Sequence, residues 1–181
     1  MAFTFSRLDI PDLVLVRPGI YQDERGFFSE TYKKSEFAAN GIRADFVQDN
    51  HSFSSRGVVR GLHYQLPPFT QGKLVGVISG SIWDVSVDIR KESATFGKWI
   101  GVDLTDKDMQ MVWIPSGFAH GFVALSESVH LVYKCTAEYD KGSEAGIRWN
   151  DPDLGICWPL NDVKVSLKDA ALPSFKKARL L

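Results

Sequence analysis

The stretch KLVGVISGSIWDVSVDIR, residues 73–90, decides the fold class. From Lys73 to Ser79 the residues alternate, with Lys73, Val75 and Val77 on one parity. Gly80 supplies a turn, and Ser81–Arg90 resumes the period of two. Ile82, Asp84, Ser86 and Asp88 share one parity there; Ser81, Trp83, Val85 and Val87 share the other. Successive side chains on a strand point to opposite faces, so this pattern predicts a half-buried strand. The same grammar repeats on both sides. Upstream lie Leu13–Arg17, ended by Pro18-Gly19, then Gly26–Tyr32, then Val58–Leu66, closed by Pro67-Pro68. Downstream come Trp99–Leu104, Met111–Ile114, Gly121–Leu125, His130–Thr136 and Gly146–Trp149. β-Branched and aromatic residues fill the runs, and Gly, Pro, Asp and Ser fill the gaps. Helical candidates are limited to Ser35–Asn40, before Gly41, and the tail after Ser166. Many short strands at regular spacing predict an all-β sandwich or barrel, which removes or protects the edges so many strands would expose.

The chain of 181 residues suits one domain spanning 1–181 with short terminal extensions, and no linker or repeat divides it. With 44% hydrophobic and 12% aromatic residues it can bury a core without metal or disulfide staples. Its 21 Lys plus Arg balance 22 Asp plus Glu, without a basic cluster, which argues against nucleic acid or an anionic membrane as partner. Cys135 and Cys157 form no CxxC pair and read as free thiols of a reducing compartment. The N-terminus lacks a signal-peptide pattern, and apolar runs such as Leu13–Val16 are far too short to cross a bilayer, so a soluble cytoplasmic protein is expected.

Chemistry concentrates around Arg60-Gly61-Leu62-His63-Tyr64-Gln65. On an extended strand Gly61, His63 and Gln65 share one face and Arg60, Leu62 and Tyr64 the other, placing a titratable His on a polar face. A His satisfied by backbone in a packed wall is the competing reading. Lys73 opens an apolar strand face, positioned either at the water's edge or to meet an anion. Tyr133, sharing parity with Leu131 and Cys135, points inward, as a core tyrosine also would.

A second cluster reads Pro115-Ser116-Gly117-Phe118-Ala119-His120-Gly121. Its PxGxxHG spacing resembles the second motif of the cupin jelly rolls, whose first motif supplies an HxH pair and a Glu to hold a divalent metal. Here the pair reads His63-Tyr64-Gln65, no Glu follows in the expected window, and Lys73 stands nearby. A neutral amide binds a first-row metal weakly and an ammonium repels it, so no metal is expected. Proton transfer at carbon needs no metal. A base removes the proton beside a ketone, a fixed cation stabilises the enolate, and an acid on the opposite face inverts the centre. His63, Lys73 and Tyr133 fit those parts. A carboxylate fixing the tautomer of His63 is also required, and Asp169 is one of several candidates; Ser166-x-x-Asp169 equally reads as a helix cap.

Seven motifs in order carry a closer resemblance. They are Asp23-Glu24-Arg25-Gly26-Phe27-Phe28, Phe46 to His51, Arg60 to His63, Gln71 to Val75, Trp113 to Phe122, Trp149-Asn150-Asp151-Pro152 and Lys168-Asp169-Ala170. Together they resemble the dTDP-4-dehydrorhamnose 3,5-epimerases, cofactor-independent enzymes with a cupin-type jelly roll (double-stranded β-helix) and short peripheral helices. The resemblance covers the chain from about Ile10 to the tail. It implies a dTDP-sugar substrate, no cofactor, His63 as base with Asp169 as its partner, Lys73 beside the C4 carbonyl and Tyr133 as acid for C5. It implies Tyr139 stacked on thymine, and Gln48, Asn50, Arg60, His120, Glu144 and Lys168 lining the nucleotide and sugar subsites. Arg25 and Glu30 match positions contributed by a neighbouring subunit, which implies a homodimer with sites completed across its interface. Relatives that epimerise one carbon, or move the ketone, share the fold; Tyr133 beside His63 and Asp169 favours the double reaction. A metal-dependent cupin enzyme is the remoter alternative. Strict alternation opposes Arg60 to His63, whereas the family turns both toward ligand, so a bulge near Gly61 is expected.

Overall fold

A computed structural model describes residues 3–181. Among the described residues fourteen strands form: β1 (Thr4–Arg7), β2 (Val14–Arg17), β3 (Ile20–Asp23), β4 (Gly26–Ser29), β5 (Gln48–Ser55), β6 (Val58–Gln65) and β7 (Lys73–Ser79), then β8 (Ser81–Asp88), β9 (Trp99–Thr105), β10 (Met111–Ile114), β11 (Phe118–Ala124), β12 (Ser128–Cys135), β13 (Glu144–Gly146) and β14 (Lys164–Val165). Two short helices, α1 (Lys34–Ala39) and α2 (Leu167–Ala170), and a 3-10 turn at Phe175–Lys177 complete the set. One antiparallel sheet runs β1-β2-β10-β7-β12-β5; the other runs β13-β6-β11-β8-β9, with β14 added parallel to β6. Among the described residues, β3 and β4 pair only with each other. This is the expected all-β jelly roll.

The stretch 73–90 forms β7 and β8, which the turn at Gly80 delivers to opposite sheets. Gly80 has φ +89, and a Cβ there would lie 2.3 Å from the Ser128 carbonyl, so only glycine makes this crossing. Facing strands trap an apolar interior: Val75, Val77, Val112 and Leu131 from one sheet meet Ile82, Leu104, Phe118 and Phe122 from the other.

The half-buried reading of Ser81–Arg90 is corrected, because both faces of β8 are covered. Ile82, Asp84, Ser86 and Asp88 are buried on one parity, while Val85 and Val87 pack outward beneath Ile147, Leu154 and the C-terminal residues Phe175 to Leu181. The tail after Ser166 is helical for one turn only. It then runs along the sheet, where Leu181 bonds the backbone of Ile89 and Lys91, and Tyr64 donates to the Arg179 carbonyl. Across the molecule, α1 seals the outer face of the first sheet with Phe37 against Val14, Val16 and Leu74.

Candidate active site

Toward one end the interior turns polar within the same strands. Lys73 precedes Val75 on β7, Tyr133 follows Leu131 on β12, and His120 lies between Phe118 and Phe122 on β11. These side chains and His63 line a cavity of about 560 Å³, bounded also by Ser52, Arg60, Lys168 and Asp169. A smaller lobe of about 180 Å³ shares His63, Lys73 and Tyr133 and adds Gln48, Asn50, Tyr139 and Glu144.

The bulge expected near Gly61 is present. His120 pairs with His63 and Phe122 with Arg60, so two residues of β11 span three of β6. The extra residue restores Arg60 to the parity of His63. Gly61 sits at φ +139, and a Cβ there would lie 2.6 Å from the Cα of Gly121; the crowded strand crossing requires glycine.

His63 Nε2 lies 2.8 Å from Asp169 Oδ1, with the imidazole about one-third exposed and the carboxylate side chain 6% exposed. Asp169 resolves the two readings of its motif by satisfying both. Its backbone N–H donates to Ser166 Oγ, capping α2, while its carboxylate turns to His63 and accepts from the Gly61 N–H. Burial pushes this carboxyl up, but the bonds from His63 and Gly61 outweigh it and hold it below the ordinary carboxylate value. The anionic form is therefore favoured, as an imidazole partner needs.

Burial pulls the Lys73 ammonium down from its usual range, opposed by the nearby charges of Cys135, Asp84 and Glu144. Burial likewise raises the Tyr133 phenol, against the attraction of Arg60, so at neutral pH it carries its proton. Arg60 is braced by Ser54 Oγ at 3.0 Å and the Phe53 carbonyl at 2.9 Å.

The smaller lobe is held by a chain of polar contacts. Tyr139 donates through its hydroxyl to Glu144 at 2.9 Å and through its N–H to Gln48 at 2.8 Å. Lys168 bonds the other Glu144 oxygen, Gln48 donates to Asn50, and Asn50 contacts Cys135 Sγ. Gln65, in the place of the second imidazole of an HxH pair, borders the smaller lobe with its amide engaged by backbone. It donates to the carbonyls of Phe69 and Glu138 and accepts from the Asp140 N–H, fixing the loop that carries Tyr139. Among the described residues, no group of three or more His, Cys, Asp or Glu gathers as a metal site.

Two anticipated residues stand elsewhere. Arg25 lies at the β3–β4 tip, 84% exposed and paired with Asp23, and Glu30 follows β4 with one buried carboxylate oxygen lacking a partner. One residue escaped the sequence reading: Asp84, fully buried on β8, whose Oδ2 lies 2.6 Å from His120 Nε2. Its signal was a carboxylate on the inward parity of an otherwise apolar strand, which demands a cationic or donor partner.

A family model described as dTDP-4-dehydrorhamnose 3,5-epimerase matches residues 7–177. A dTDP-4-dehydrorhamnose 3,5-epimerase of Shigella flexneri is 49% identical over 90% of this chain and 91% of its own. The structure of dTDP-6-deoxy-D-glucose-3,5-epimerase from Legionella pneumophila, in complex with dTDP-4-keto-L-rhamnose, superposes with a TM-score of 0.94 at 47% identity, covering 97% of this chain and 94% of that one. A 3′-monoepimerase of Streptomyces bikiniensis, solved with dTDP as a double variant lacking one histidine and one tyrosine, gives 0.86 at 32% identity, covering 93% and 86%.

Proposed function

The chain belongs to the dTDP-4-dehydrorhamnose 3,5-epimerase family, a family of isomerases, and on that premise we propose how its residues carry the reaction. The substrate is dTDP-4-dehydro-6-deoxy-D-glucose, inverted at C3 and C5 to dTDP-4-dehydro-L-rhamnose. The observation that carries this reading is the His63–Asp169 pair at 2.8 Å on a cavity shared with Lys73 and Tyr133. His63 removes the proton at each carbon flanking the C4 ketone, and Asp169 stabilises the imidazolium that results. Lys73 faces the enolate oxygen, where a fixed cation in a water-poor cavity is most effective. Tyr133 returns a proton to C5 from the opposite face. Tyr139 stacks on thymine, and Gln48, Asn50, Arg60, His120, Glu144 and Lys168 line the nucleotide and sugar subsites. No cofactor takes part in this scheme. A 3′-monoepimerase shares the fold at 32% identity, so the fold alone does not set the number of inversions; the identity to double epimerases supports two.

Arg25 and Glu30 belong, in this reading, to a neighbouring copy's site within a homodimer. Exposed Tyr21, Phe27 and Phe28 on the β3–β4 ribbon support it, since an isolated ribbon with bare aromatics seeks a partner surface. Mixing Arg25→Ala with His63→Ala protein tests this: each hybrid dimer regains one intact site, about a quarter of wild-type sites in a random equal mixture. No recovery after subunit exchange refutes the shared site. No described helix is long and apolar enough to cross a membrane, and the free Cys135 and Cys157 support placing the reaction in the reducing cytoplasm.

The decisive assay runs the named substrate in deuterated water and reads the sugar by NMR. Deuterium at C3 and C5 is expected. Label at C3 alone supports a single-centre epimerase, and label at neither carbon overturns the proposal.

A further inference from the structure

The chain holds four histidines. Two of them, His63 and His120, line the cavity. The other two, His51 and His130, meet on the outer face of the first sheet, where the proposed reaction makes no use of them. β5 and β12 pair antiparallel, with His51 opposite Val132 and Phe53 opposite His130. Asn50 and Tyr133, also opposite each other, turn inward to the cavity, so the alternation of a strand turns His51, Phe53, His130 and Val132 outward. The two imidazoles stand on a diagonal of this ladder, His51 exposed and His130 half-buried.

His51 Nε2 lies 2.9 Å from His130 Nδ1, with ring centroids 5.1 Å apart. The Phe53 ring packs 5.2 Å from that of His130 and steadies it. The cavity histidines are built otherwise. His63 Nε2 is bonded to Asp169 and His120 Nε2 to Asp84, and Lys73 lines the same cavity. Among the described residues no carboxylate claims a nitrogen of the outer pair. The charged residues next to it along the two strands, Asp49 and Lys134, neutralise each other through bonds of 3.0 Å. On its other side β12 meets β7, which sets Ser79 against His130 and Gly76 against Val132. Two ring nitrogens at the water's edge, beside a neutralised ion pair, can act as a chelate.

Their spacing selects the ion. Two nitrogens each about 2.1 Å from one metal stand about 3.0 Å apart at a right angle and about 3.4 Å apart at the tetrahedral angle. The observed 2.9 Å matches the right angle of square-planar or tetragonal coordination, the preference of nickel(II) and copper(II) rather than zinc. To receive the ion, the proton shared between the rings moves to the far nitrogen of its own ring, and both rings turn until their lone pairs converge. We propose that His51 and His130 form a two-histidine site for a divalent nickel or copper ion, with water completing the coordination because Lys134 holds Asp49. The ion clamps β5 to β12, the strands whose inner faces carry Gln48, Asn50 and Tyr133, and stabilises the fold by mass action. The site is independent of the epimerase reading.

Nickel chloride titrated into the untagged full-length protein at pH 7.5 is expected to bind at one ion per chain by calorimetry and to raise the thermal midpoint. His51→Gln and His130→Gln, each leaving a single ring, should weaken binding about 100-fold or more and abolish the midpoint shift. Deuterium labelling of the sugar by either variant should stay within about 2-fold of wild type, since neither residue faces the cavity. No binding at millimolar nickel, or affinity within about 3-fold of wild type in either variant, overturns the proposal. If the variants do not fold, nickel anomalous scattering from crystals of the unmodified protein decides. A peak between His51 and His130 is expected; no peak, or a peak only beside His63 and His120, refutes the outer site.

Discussion

Two histidine–carboxylate pairs face one cavity from neighbouring strands, and they are built differently. His63 is one-third exposed and takes its carboxylate from a one-turn helix near the C-terminus. His120 is 9% exposed, and its carboxylate is sealed inside the barrel. An imidazole that exchanges protons with a substrate needs access and a partner that tolerates a change of charge. An imidazole that holds a wall needs neither. Accessibility, more than the pairing itself, separates the group proposed to do chemistry from the group proposed to support it.

The largest expected effect breaks the outer pair. His63→Ala should reduce exchange at C3 and C5 together by about 10²–10⁴-fold, measured as deuterium uptake per turnover. Surviving exchange at either carbon would mean that a second base, with His120 the nearest, serves that centre. Asp169→Asn should cost somewhat less, about 10²–10³-fold in kcat, with substrate affinity nearly retained, because the ring stays in place while its tautomer and charge lose support. Equal losses for Asp169→Asn and a distant surface change would dissolve the distinction between the pairs.

Gln65 lies outside both pairs. Gln65→Leu removes two bonds to the loop bearing Tyr139 and one to the Phe69 carbonyl, and should destabilise the protein by about 1–3 kcal/mol in urea unfolding, with KM raised more than kcat is lowered. The smallest effect concerns a carboxylate remote from the chemistry. Asp88, bonded by Arg90, Ser93 and Thr95, is held at about 2. Its unfolded value is near 3.9, so the stability it adds is fully present above about pH 4 and is lost as pH falls toward 2. Wild type and Asp88→Asn should therefore differ in thermal midpoint at pH 7 and converge near pH 2.

Much of this architecture is legible in the sequence where the inward face is apolar. Residues 73–90 announced their strands because Val75, Val77, Ile82, Val85 and Val87 mark the period. β5 carries no such mark. Its half-buried positions Gln48, Asn50 and Ser52 are polar, since that face is cavity wall, and an exposed Phe53 points away from the interior. A strand with inverted polarity defeats a rule that equates inside with apolar. The same cause hid Asp84. The Arg60–His63 conflict, by contrast, was readable, because two residues required in one cavity contradicted strict alternation and a glycine lay between them. Gly26–Tyr32 formed a shorter strand in an isolated ribbon, and Gly146–Trp149 paired earlier, at Glu144–Gly146; both ends are set by tertiary partners that local pattern does not contain. The family motifs located residues that spacing left ambiguous, Asp169 above all.

In the proposed mechanism one base, His63, serves both carbons while Tyr133 serves C5 alone. Tyr133→Phe, assayed in deuterated water with separate NMR integration of the two positions, separates these roles. Rapid label at C3 with label at C5 reduced about 100-fold or more is the expected result. Equal loss at both carbons, or undiminished C5 inversion, would contradict it.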